Sequence, residues 1–74
     1  MSTTISPQVR LANDIAAQFP HRTREQAAAA IADHIRKFWD PRMRADLSRR
    51  KDSEPESFDP AALRAARILE GETG

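Results

Sequence analysis

The chain has 74 residues, 39% apolar, 5% aromatic and 31% charged, with a formal net charge of +1, which bounds it to one small domain that buries roughly 60% of the surface its unfolded form exposes. It contains no cysteine, and its two histidines form no metal-ligand spacing; disulfides and a structural zinc are excluded as staples, leaving close helix packing or docking on another subunit. No signal-peptide pattern and no run approaching ~18 apolar residues is present, so the expectation is a soluble, cytoplasmic chain without a membrane span.

Charge is unevenly distributed. Residues 1–35 balance three Arg against three acids, residues 36–51 set seven basic residues against Asp40 and Asp46, and residues 52–74 set two Arg against six acids. Ten of the twelve basic residues are Arg, a composition that favours planar, bidentate and stacking contacts.

In chain order, residues 1–5 are Ser/Thr-rich and read as a frayed start. Ser6-Pro7 reads as an N-cap followed by Pro at the first helical position. Leu11, Ile15 and Phe19, with Ala12 and Ala16 beside them, predict one apolar stripe on a helix over about residues 7–19, stopped by Pro20. Thr23 with Gln26 matches a capping box and opens a second helix over about 24–39. Alanines 27–30 allow another helix to approach closely, and Ile31, Ile35 and Phe38 thicken the same face. Asp40 precedes Pro41 and is pushed away from helical dihedrals, so Asp40-Pro41 ends this helix and starts a third, over about 41–50. Residues 51–59 read as a polar linker, and Asp59-Pro60 opens a C-terminal helix over about 60–70 that ends at Gly71. No segment alternates with strand period. The expected architecture is all-α: a small three-helix domain over 1–50, a linker over 51–59, and a helix with its tail over 60–74.

An active site of its own is not expected. With glycine only at Gly71 and Gly74 there is no phosphate-cradling loop, and no Ser lies with a His and a carboxylate placed to activate it. Asp33 and His34 are neighbours in sequence but point about 100° apart on a helix. His34 falls on the apolar stripe of the second helix and reads as a hydrogen-bonded histidine at the edge of a core or interface. No catalytic, cofactor-binding or metal-binding residue is assigned.

The recognition-prone residue types gather instead in His34-Ile35-Arg36-Lys37-Phe38-Trp39-Asp40-Pro41-Arg42-Met43-Arg44. Phe38 and Trp39 have two readings: both cap the core of the three-helix domain, or, since consecutive helical positions cannot both face one core directly, one ring, Trp39 sooner than Phe38, projects outward as an interface anchor. Arg42 and Arg44 have two readings, a solvated face with local pairs such as Arg42 with Asp46, or contacts to a partner. The expected partner interface is His34, Phe38, Trp39, Asp40, Pro41, Arg42, Met43 and Arg44. Pro41 fixes the corner, Trp39 and Met43 supply apolar contact, and the two arginines pair with acidic groups or carbonyls.

The phrase His-Ile-x-x-Phe-Trp-Asp-Pro-Arg-Met-Arg, together with Leu11-Ala12-Asn13-Asp14-Ile15-Ala16 and the Ala-rich second helix, resembles the delta subunit of NAD-dependent, molybdenum-containing formate dehydrogenases. The similarity covers about residues 8–47 and, more loosely, the helix around Leu63 to Leu69. The resemblance implies a non-catalytic accessory subunit of a cytoplasmic complex, docking on the molybdenum-bearing alpha subunit to stabilise it or to aid its cofactor insertion. Molybdenum cofactor, iron–sulfur clusters, FMN and NAD would belong to other subunits of that complex. In isolation, exposed Phe, Trp and Met favour a homodimer. The competing reading is a small basic nucleic-acid-binding regulator using Arg36 to Lys51; the acidic last third and the lack of a Gly-containing helix-turn-helix signature weigh against it.

Overall fold

Three cap-then-proline devices and one capping box set the helix starts. In the computed structural model, which describes residues 6–19 and 22–73, Ser6 accepts a hydrogen bond from the Gln8 amide at 3.3 Å and Pro7 opens α1 (Pro7–Ala16). At α2 (Arg24–Phe38), the Thr23 hydroxyl accepts from the Gln26 amide at 3.1 Å, and the Gln26 side chain accepts from the Thr23 amide at 3.2 Å. Asp40 accepts from the Met43 amide at 2.9 Å at the head of α3 (Pro41–Ser53). Asp59 accepts from the Ala61 amide at 2.9 Å at the head of α4 (Pro60–Thr73). A single 3₁₀ turn, Pro55–Ser57, joins α3 to α4. No strand occurs among the described residues, so the fold is all-α as expected. The Ser/Thr-rich start and the Pro20 stop lie outside the described residues.

The core is an alanine seam. α4 packs chiefly along α2, bringing Ala61, Ala62, Ala65, Ala66 and Leu69 against Ala27, Ala28, Ile31, Ala32 and Ile35, all buried. Among the described residues, nine of the sixteen buried apolar ones are alanine; the helix backbones can therefore approach closely, while each alanine removes little apolar area from water. Ile31, Ile35, Leu47 and Val9 are the largest fully buried side chains, so they carry a disproportionate share of the hydrophobic stabilisation.

Four expectations need correction. The buried face of α1 is Val9, Ala12, Ile15 and Ala16, while Leu11 is 45% exposed. Both sets fit helical spacing, and only the position of the neighbouring helices selects between them. α1 also ends at Ala16, short of the expected 19, although Phe19 still packs against the core from the turn that follows. α3 runs past residue 50 to Ser53, because ion pairs along its polar face and the burial of Lys51 sustain a helix that carries little apolar periodicity. Finally, α4 continues through Gly71 to Thr73; no described glycine has positive φ, so Gly71 takes ordinary helical dihedrals in place of the left-handed cap that would end the helix.

The segment between α3 and α4 is fixed by side chains from other elements. Phe58 is buried in the common core. Asn13 of α1 donates through Nδ2 to the Ser57 carbonyl at 3.0 Å, and its Oδ1 accepts from the Asp59 amide at 2.8 Å. One amide side chain thereby satisfies two backbone groups that lie outside the regular helices. Arg64 of α4 reaches Glu25 of α2 at 2.9 Å, closing the far side of the seam.

Candidate recognition corner

The α2–α3 corner is two residues long. Trp39 leaves helical dihedrals at φ −94°, ψ 141°, its amide still donating to the Ile35 carbonyl at 2.9 Å. Asp40 follows in extended conformation and caps α3, as the steric demand of Pro41 requires. The change of backbone direction separates the two aromatics. Phe38, the last helical residue, is 72% exposed, whereas Trp39 is half-buried and packs against the core. The outward ring is thus Phe38, reversing the expectation for Trp39.

His34 accompanies Phe38. One helical turn earlier on α2, its ring lies 4.8 Å from that of Phe38, tilted by 44°, a separation within the range of favourable aromatic pairs. It is exposed, not a core-edge histidine. Phe38 and His34 therefore form a solvent-facing aromatic pair. Met43 is half-buried on α3, while Pro41 and Arg42 are exposed and Arg44 is half-buried.

The arginines of the corner differ from the rest of the basic block. Asp33 holds Lys37 at 3.0 Å and Arg36 at 3.3 Å. Asp46 holds Arg49 at 2.7 Å and Arg50 at 3.6 Å, and Arg50 also reaches Glu54 at 3.3 Å. Lys51, only 6% exposed, is clamped between Asp52 at 2.6 Å and Glu70 at 3.0 Å. By contrast, neither the Arg42 nor the Arg44 guanidinium has an ion pair or hydrogen bond to any described residue, and the anticipated Arg42–Asp46 pair is absent because Asp46 is occupied by Arg49, Arg50 and the Ser6 hydroxyl, which donates to it at 3.2 Å. The basic run is thus largely neutralised within the chain, which leaves little of it for a polyphosphate backbone.

Two ionisable groups are shifted by these contacts. The Arg49 hydrogen bond holds the Asp46 carboxyl below its ordinary value, helped by Ser6 and the Arg50 charge and opposed by partial burial. The Lys51 ammonium is raised above its ordinary value, chiefly by its hydrogen bond to Asp52 and then by that to Glu70, again against burial. Both belong to the scaffold behind the corner. Among the described residues, no three His, Cys, Asp or Glu side chains converge as a metal site, no helix is long and apolar enough to cross a membrane, and no buried side-chain polar atom lacks a hydrogen-bond partner.

Sequence reasoning missed Asn13, the Ser6–Asp46 bond and the burial of Lys51. Each depends on elements meeting across about twenty to forty-six positions in the chain. Polar residue types carry no periodic signal for such meetings.

Fold and corner together define a small helical-bundle protein that keeps an alanine core inside and places aromatic and arginine side chains outside. The family described as the NADH-dependent formate dehydrogenase delta subunit FdsD matches residues 8–66, which span most of α1, all of α2 and α3, and half of α4. The chain belongs to this family. No curated protein and no solved structure matches it.

Proposed function

We propose that the chain is a non-catalytic accessory subunit that docks on the molybdenum-containing alpha subunit of a cytoplasmic formate dehydrogenase complex and stabilises it. The cofactors of that complex, on this reading, reside on its other subunits. The observation that carries the proposal is Phe38, a large apolar ring left 72% exposed by a chain whose core is so poor in large side chains. Burying such a ring in water-excluded contact is worth about 1.5–3 kcal/mol, and a single aromatic of this kind is a typical interface anchor. His34 widens the anchor, and Arg42 and Arg44 supply charge for carboxylates or carbonyls of the partner.

The test is co-expression with the alpha subunit. Phe38→Ala combined with Arg42→Ala is expected to keep the helical circular dichroism of the wild type and to be lost from the purified complex, while the wild type is retained stoichiometrically in metal-loaded enzyme. Full retention of the double variant would show that docking uses another surface.

A further inference from the structure

A groove of about 300 Å³ opens between α3 and α4, lined by Pro41, Arg44, Ala45 and Leu47 from α3 and by Ala66 and Leu69 from α4. Its volume lies at the small end of the roughly 300–1,000 Å³ of ligand pockets, suited to a side chain or two and too small for a dinucleotide. Pro41 belongs both to this groove and to the corner, so the two surfaces are continuous.

We propose that this groove receives an acidic segment of the alpha subunit, seating one of its apolar side chains on Ala45, Ala66 and Leu69 and a neighbouring carboxylate on Arg44. The proposal rests on the docking reading above and names the chemistry of a second contact within it. Three observations point to an anionic occupant. Arg44 lines the groove, and its guanidinium has no ion-pair or hydrogen-bond partner among the described residues. The one acid lining the groove, Glu70, is already engaged by Lys51 at 3.0 Å and by the Ser48 hydroxyl at 3.3 Å, so it neither neutralises Arg44 nor presents an unbalanced charge to a carboxylate. Lastly, the Asp40 carboxylate at the head of α3 accepts from the Met43 amide at 2.9 Å and lies in no ion pair with Arg44, so it does not neutralise that guanidinium either. A guanidinium at the rim of an apolar trough binds a carboxylate bidentately, which a lysine cannot do.

The experiment measures binding of the full chain to immobilised alpha subunit at low and high salt. Ala45→Phe fills the groove from an exposed position without touching the seam, and Arg44→Glu reverses its charge. Each is expected to weaken binding at least tenfold with wild-type circular dichroism. Arg44→Lys should fall between, and wild-type affinity should drop with salt more steeply than that of Arg44→Glu. Wild-type affinity in both Ala45→Phe and Arg44→Glu, alongside weakened binding of Phe38→Ala, would overturn the groove assignment while leaving docking through the corner intact. Absence of binding by the wild type itself would overturn the docking reading and the groove with it.

Discussion

The α2–α4 seam and the α2–α3 corner are built from the same helix and obey opposite rules. Along the seam, Ala27, Ala28, Ile31, Ala32 and Ile35 are buried and meet a facing row dominated by alanine. At the corner, a few residues further on, Phe38 stands in solvent with the tilted His34 ring against it. A core assembled largely from small side chains has little apolar area to offer, yet the chain leaves one of its three phenylalanines outside it. The difference teaches that α2 has two tasks: its alanines bring α4 close, and its C-terminal turn presents a ring that the fold itself does not use.

The largest effect is expected at the seam. Ile31 is fully buried, so Ile31→Ala should cost about 2–5 kcal/mol, most of the roughly 3–5 kcal/mol that a single core of this size supplies. Urea unfolding followed by circular dichroism measures it. A cost below about 1 kcal/mol would mean that α2 and α4 are not closely packed, and the comparison would lose its buried half.

Next in size is the contrast between adjacent aromatics. Trp39→Ala removes a half-buried ring and should destabilise by about 0.5–3 kcal/mol, whereas Phe38→Ala should shift stability by no more than about 0.5 kcal/mol. Equal losses in thermal melts would remove the distinction between core and corner. Smaller again is Gly71→Ala. Because α4 runs through Gly71 and a Cβ there meets nothing within 4 Å, the substitution should stabilise by about 0.4–1 kcal/mol; destabilisation would place the helix end at that glycine.

A gentler effect follows from the shifted groups. Asp46 has a folded pKa below its ordinary 3.8, so its contribution is complete above that value and is lost as pH falls through the folded pKa. Lys51 is raised above its ordinary 10.5; its contribution is complete below that value and is lost as pH rises through the folded one. The contribution of these two groups should therefore be level between those limits. Asp46→Asn should soften the acid decline of the urea midpoint below about pH 4, and an unchanged decline would take Asp46 out of the account.

Much of this contrast is legible in the sequence, and the parts that are not share a cause. Helix starts are local events: Ser6-Pro7, Thr23 with Gln26, Asp40-Pro41 and Asp59-Pro60 each satisfy their own backbone groups, so residue type alone locates them. The long aromatic–proline–arginine phrase likewise marks the corner. What sequence leaves open is direction. Leu11 and Val9 both fit a helical stripe, and Phe38 and Trp39 are adjacent; the choice within each pair is made by where α3 and α4 lie, which no local pattern encodes. The extension of α3 to Ser53 is hidden for the same reason, since its support comes from Glu70 on another helix and from ion pairs rather than from apolar periodicity.

The most direct test of the central claim is amide hydrogen exchange on the full chain, alone and bound to the alpha subunit. The seam residues of α2 and α4 should be protected in both states, and new protection on binding should fall on residues 36–48, over the turn that bears Phe38, the corner and the first half of α3. New protection confined to the outer face of α1 around Leu11, with residues 36–48 exchanging as in the free chain, would contradict the assignment of the corner as the docking surface.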